Sequence, residues 1–136
     1  MTMSFDKTVA AWAKIWNGDL SLIDSVIHPG FTSHAAPLAG GPATDSVGRD
    51  NLRMWVSGIH SMISELRFGI HVGPFVDDPF VVIRWHAEGT YEGRRIEFYG
   101  TDILKIADEV IAEYWANADS LWFAQQIGMT EIPALT

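Results

Sequence analysis

The chain has 136 residues, enough for one domain with its own core and too few for two ordinary ones. Apolar residues at 48% and charged ones at 19% exclude a disordered or low-complexity chain, and 12% aromatics forecast a well-filled interior or pocket. Acidic side chains outnumber basic ones 17 to 9, the net charge is -8, and no basic run exceeds Arg94-Arg95, so nucleic acid and anionic membranes are excluded as natural partners.

The absence of cysteine removes disulfides, thiolate nucleophiles and Cys-ligated metal sites together. The start of the sequence lacks the basic residues and apolar run of a signal peptide, and no stretch approaches the roughly 20 apolar residues of a membrane span. The expectation is a cytoplasmic protein forming a single domain over residues 1–136.

From Ser4 to Trp16 the residues Phe5, Val9, Trp12, Ala13 and Trp16 recur at helical spacing, with Ser4 as the N-cap. Asn17-Gly18 ends this helix, Asp19 caps a short second one through Val26, and His28-Pro29-Gly30 stops that in turn, with His28 as a C-terminal cap. Phe31–His34 is expected as a brief extended segment. Residues 35–48 combine Pro and Gly without periodicity, as a loop or flap over a site. Residues 49–63 place Leu52, Trp55, Val56, Ile59, Met62 and Ile63 on a third helix, capped by Asp45 or Ser46, with Gly58 implying close packing.

Past Ser64 the chain becomes rich in Val, Ile, Phe, Tyr and Trp, and turn residues divide it into strands at 66–76, 80–91, 94–106 and 110–118. A closing helix over 120–127 is capped by Asp119 or Ser120 and stopped by Gly128. Helices followed by strands predict an α+β fold: a curved antiparallel sheet of four long strands plus a short one, wrapped on the N-terminal helices to leave a conical cavity.

Residues 98–128 resemble the SnoaL-like branch of the nuclear transport factor 2-like superfamily. The family pattern is met by Gly100, Asp102, Ile103, Ile106, Asp108, Ile111, Glu113, Trp115, Asp119 and Gly128, with Lys105 in place of an arginine. Glu109-Val110 depart from its Gly-Lys turn, and the preceding loop is shortened at Glu92-Gly93. Trp16-Asn17-Gly18-Asp19 and Ile27-His28-Pro29-Gly30-Phe31 extend the likeness more loosely to the helical half. The resemblance implies a curved-sheet cone, a solvent-poor cavity and a homodimer formed across the outer face of the sheet. Its members include polyketide cyclases, ketosteroid isomerases, epoxide hydrolases, dehydratases and binding proteins, so the reaction has to come from the cavity residues.

Alternation in the third long strand puts Phe98, Gly100, Asp102, Leu104 and Ile106 on the buried face, leaving Asp102 as a carboxylate among apolar neighbours. Its competing roles are a general acid or base and one half of a structural ion pair. A three-residue hairpin loop brings Arg84 beside Asp102 and His86 beside Gly100; a two-residue Glu92-Gly93 loop brings Ile83 there instead and faces Trp85 and Ala87 inward. Turn chemistry favours the shorter loop, whereas the family pattern favours the longer, with Arg84 as partner.

His34 stands near the position where isomerase-like relatives hold a proton-transferring aspartate, against a plain backbone-bonded histidine. Tyr114 faces the cavity if Ala112, Ala116 and Ala118 do. The aspartate that SnoaL-like cyclases carry on this strand corresponds to Ala116. Trp12, Trp16 and Trp55 roof the cone as core or as ligand contacts. The histidines lack metal-ligand spacing, so no metal is expected.

Two functions compete: a cofactor-independent cyclase or isomerase using Asp102 and His34 on a small apolar or aromatic carbonyl-bearing ligand held by Arg84, His86, Tyr114 and the tryptophans, and a non-catalytic dimeric binding module.

Overall fold

The computed structural model describes residues 5–38 and 40–129. Helix α1 spans Phe5–Trp16 and buries Val9, Trp12, Ile15 and Trp16 along one stripe, the period that brings positions three and four apart onto one face. Ser4, its expected cap, lies outside the described residues. Asp19 accepts a hydrogen bond from the Ser21 amide (3.3 Å) and starts a short 3-10 turn at Leu20–Leu22, which runs into α2, Ile23–Val26.

The chain then enters the sheet earlier than expected. Strand β1 covers Ile27–Ala35 and β2 covers Thr44–Val47, within the segment expected to be a loop. The Pro29-Gly30 pair disguises β1, and the ladder accommodates it by a register irregularity between Ile27 and Thr32. His28 caps no helix; its Nδ1 accepts from the Gly30 amide (2.9 Å).

Helix α3 spans Arg49–Met62, with Gly48 at the N-cap position. Asp45 and Ser46 are paired to β1 in β2 and therefore do not cap it. Gly58 has open space around it, so it is not a point of close packing.

Strands β3 (Ser64–Asp77), β4 (Phe80–Tyr91), β5 (Arg94–Ala107) and β6 (Val110–Ala118) follow, then α4 (Ser120–Gln126). Asp119 occupies the N-cap position of α4, without a side-chain capping bond. The strand order is β2-β1-β6-β5-β4-β3. All neighbours are antiparallel except β1 and β6, so the sheet is mixed and six-stranded, where five antiparallel strands were expected.

Helix α1 packs on β3, and α3 reaches β1 and β3, covering the concave face of the curved sheet. Asn17 ties the end of α1 to the β3 edge by bonding both the amide (2.7 Å) and the carbonyl (3.0 Å) of Phe68. Beneath the helices Ile15, Ile23, Ile27 and Leu104 are fully enclosed; burying each such side chain stabilises the fold by about 1.5–3 kcal/mol. The result is an α+β cone of the nuclear transport factor 2-like kind, with an internal cavity between α1, α3 and the sheet.

Candidate functional site

The turn between β4 and β5 decides what faces the cavity. Glu92 and Gly93 both have positive φ (46° and 80°), the geometry of a two-residue hairpin turn whose twist matches the flanking strands. Tyr91 therefore pairs with Arg94, which sets Ile83 opposite Asp102, Arg84 opposite Thr101 and Trp85 opposite Gly100. This overturns the expected pairing of Arg84 with Asp102. Arg84 lies on the outer face, 3.4 Å from Thr101 Oγ1 and over the Tyr99 ring at 5.3 Å. His86 lies there too, 3.0 Å from Glu97.

The inward residue gained by this register is Trp85. Its ring lies across Gly100, where a Cβ would come within 2.0 Å of Trp85 Cζ2. Only glycine leaves room for the indole, which reaches past it to Asp102.

Asp102 is 4% exposed and holds three hydrogen bonds, all from neutral donors. Its Oδ1 accepts from Trp85 Nε1 (2.8 Å) and from the Tyr114 hydroxyl (2.9 Å); its Oδ2 accepts from Trp12 Nε1 (3.0 Å). Oδ1 is thus saturated, while Oδ2 keeps an acceptor position for another group. Burial raises the carboxyl pKa from 3.8 to about 6, against the opposing pull of the three donors. Burial and the adjacent carboxylate push the Tyr114 hydroxyl well above its usual range, so it remains a protonated donor.

Around this carboxylate is an apolar cavity of about 80 Å³. Its walls include Trp12, Trp16, Trp55, Phe68, Trp85 and Tyr114, and it opens beside the exposed Ala36, Gly69 and Ile70. The rings are packed edge to face, Trp16 against Trp55 at 5.0 Å and Trp12 against Tyr114 at 4.7 Å. No Lys, Arg or His lines it among the described residues. Trp16 Nε1, in the same wall, is the one buried side-chain polar atom without a hydrogen-bond partner among the described residues.

Five expected site residues, Asp102, Tyr114, Trp12, Trp16 and Trp55, therefore meet in one cavity. His34 does not join them. In β1 it pairs with Trp115, as the buried Ser33 pairs with the inward Tyr114, and alternation turns the His34 ring outward. There its Nδ1 lies 2.6 Å from Asp45, its Nε2 lies 2.7 Å from Glu113, and the ring stacks on Trp115. The hydrogen bond to Asp45, followed by that to Glu113, raises its pKa. Sequence reasoning placed Asp102 and Trp12 at the cavity but not the hydrogen bonds by which Trp12 and Trp85 hold the carboxylate.

A buried acid in an aromatic cone under two helices defines a class, the cavity-bearing α+β cones. The family model described as SnoaL-like domain matches residues 6–114, and the chain belongs to that family. A candidate polyketide cyclase from Bacillus cereus is similar in structure, with 25% identity, a TM-score of 0.73 and coverage of 90% of this chain and 78% of that one. IdmH from Streptomyces antibioticus is 20% identical with a TM-score of 0.78, covering 90% of this chain and 97% of its own. TsrD from Streptomyces laurentii is 21% identical with a TM-score of 0.78, covering 92% and 95%. No curated protein matches the sequence. Among the described residues no helix is long and apolar enough to cross a membrane.

Proposed function

We propose that this chain is a cytoplasmic, homodimeric, cofactor-independent enzyme of the cyclase or isomerase type, moving protons on a small apolar carbonyl compound through Asp102. The observation that carries the reading is a single carboxylate, walled by aromatic rings, whose proton affinity is raised towards neutral pH. A general acid or base works best when its pKa lies near the working pH. The free acceptor position on Oδ2 takes a proton from the carbon next to the carbonyl, and negative charge moves to the carbonyl oxygen. Return of the proton at another carbon completes an isomerisation; attack of the enolate carbon on a second carbonyl closes a ring and leaves an alkoxide, which takes the proton back from Asp102. Trp12, Trp85 and Tyr114 hold the carboxylate in place throughout. The polyketide cyclase named among the similar structures agrees with chemistry of this kind.

The other reading, a ligand-binding module without turnover, draws on Ala116: it lines the cavity at the position where the cyclases of the family carry an aspartate. Hydrogen–deuterium exchange separates the two. Small enolisable ketones and cyclic diketones are incubated in D2O and their exchange is followed by NMR. Exchange that rises with pH through about 6 and vanishes in folded Asp102→Asn supports the enzyme. Equal exchange with both proteins supports the binding module. Dimerisation, which the exposed Phe80 and Ile103 of β4 and β5 favour, is read by light scattering.

A further inference from the structure

The charge of the cavity is unbalanced. Asp102 is buried, its three partners are neutral, and no cationic side chain lines the space among the described residues. An ionised carboxylate in such surroundings is costly, and the missing component is a positive charge. The walls also suit one: aromatic faces carry negative potential and attract organic cations, most strongly where water is excluded. The free space, about 80 Å³, is roughly half that of an engineered apolar cavity that holds benzene at about 150 Å³, which selects a compact group.

We propose that the cavity is a receptor for a small alkylammonium group, seated among Trp12, Trp16, Trp55, Phe68, Trp85 and Tyr114, with Asp102 Oδ2 as its counter-ion. This goes beyond the proton-transfer reading and needs no turnover. The elements packed against Asp102 present Trp12 from α1, Trp85 from β4 and Tyr114 from β6. Of these only Tyr114 titrates, and it stays protonated, so the pH response belongs to Asp102. A bound cation occupies the lone pair that proton transfer requires, which makes an alkylammonium compound an inhibitor of any such reaction.

The test compares ethylammonium chloride with uncharged ethanol by calorimetry and tryptophan fluorescence at constant ionic strength. Wild type is expected to bind the cation at least about tenfold more tightly at pH 8. That preference falls about tenfold per pH unit once Asp102 is protonated, below about 6. Asp102→Asn, its fold checked by circular dichroism, is expected to lose the cation and keep ethanol. Trp55→Leu, at a half-buried position, is expected to weaken the cation several-fold with little change for ethanol. Equal binding of the two probes, binding of neither, or a cation preference independent of pH overturns the proposal. Ketone exchange without cation binding also overturns it, while leaving the proton-transfer reading intact.

Discussion

Asp102 and Glu113 are carboxylates on adjacent strands of one sheet, and they live in opposite environments. Glu113 is on the outer face, half-buried, and shares His34 with Asp45. Asp102 is on the inner face and has indole and phenol donors but no cation. The strand geometry makes this separation: one step along β5, from Asp102 to Thr101, crosses from the aromatic cavity to the surface that carries Arg84. On the outer side Glu113 and Glu97 each meet a histidine, whereas the inner side leaves one charge for a ligand to meet. A buried acid held by neutral donors stays responsive to pH and to whatever enters, which a buried ion pair would not.

The largest effect is expected at Asp102 itself. Asp102→Asn is expected to lower proton-transfer turnover by about 10²–10⁴-fold, measured by ketone exchange, while the fold persists. Trp85→Phe removes one charge-directed hydrogen bond, worth about 1.5–3 kcal/mol, and is expected to move the pH midpoint of exchange upward by one unit or more. Gly100→Ala drives a methyl group into the Trp85 ring and is expected to destabilise by about 1–3 kcal/mol, read by urea denaturation, with the Asp102 midpoint shifting upward as the indole is displaced.

Stability against pH sharpens the contrast. The Asp102 pKa is raised on folding, so its ionisation costs stability: stability falls as pH rises from 3.8 to about 6, by about 3 kcal/mol in all. The His34 pKa is also raised, but here the charged form is the favoured one. Its contribution is complete below 6.5 and is lost as pH rises through the folded value. Denaturation midpoints of Asp102→Asn and His34→Gln across pH are expected to lose one window each. The smallest effect is expected at Arg84→Ala: stability within about 0.5 kcal/mol and no change in the Asp102 midpoint.

Much of this was legible in the sequence, for physical reasons that also mark where it stopped. Periodicity found α1 and α3, and turn residues found β4 and β6 at their observed limits. Period-two alternation put Asp102 on the buried face. Strand β1 was hidden because Pro29-Gly30 imitates a helix stop, and β2 because it is a short edge strand in a Pro- and Gly-rich stretch. The parallel pairing of β1 with β6 joins residues some eighty positions apart, which no local pattern records. The Arg84 error was one of register: Glu92-Gly93 carried the turn chemistry for the shorter loop, and giving it less weight than the family pattern hid Trp85 and exchanged the faces of Arg84 and His86.

Asp102 is a buried carboxylate held by neutral donors, poised to change charge near neutral pH. Titration of its side-chain carboxyl carbon by 13C NMR, with assignment from Asp102→Asn, tests this directly. The expected result is a single transition centred at about 6. A carboxyl that remains ionised down to pH 4 would contradict it.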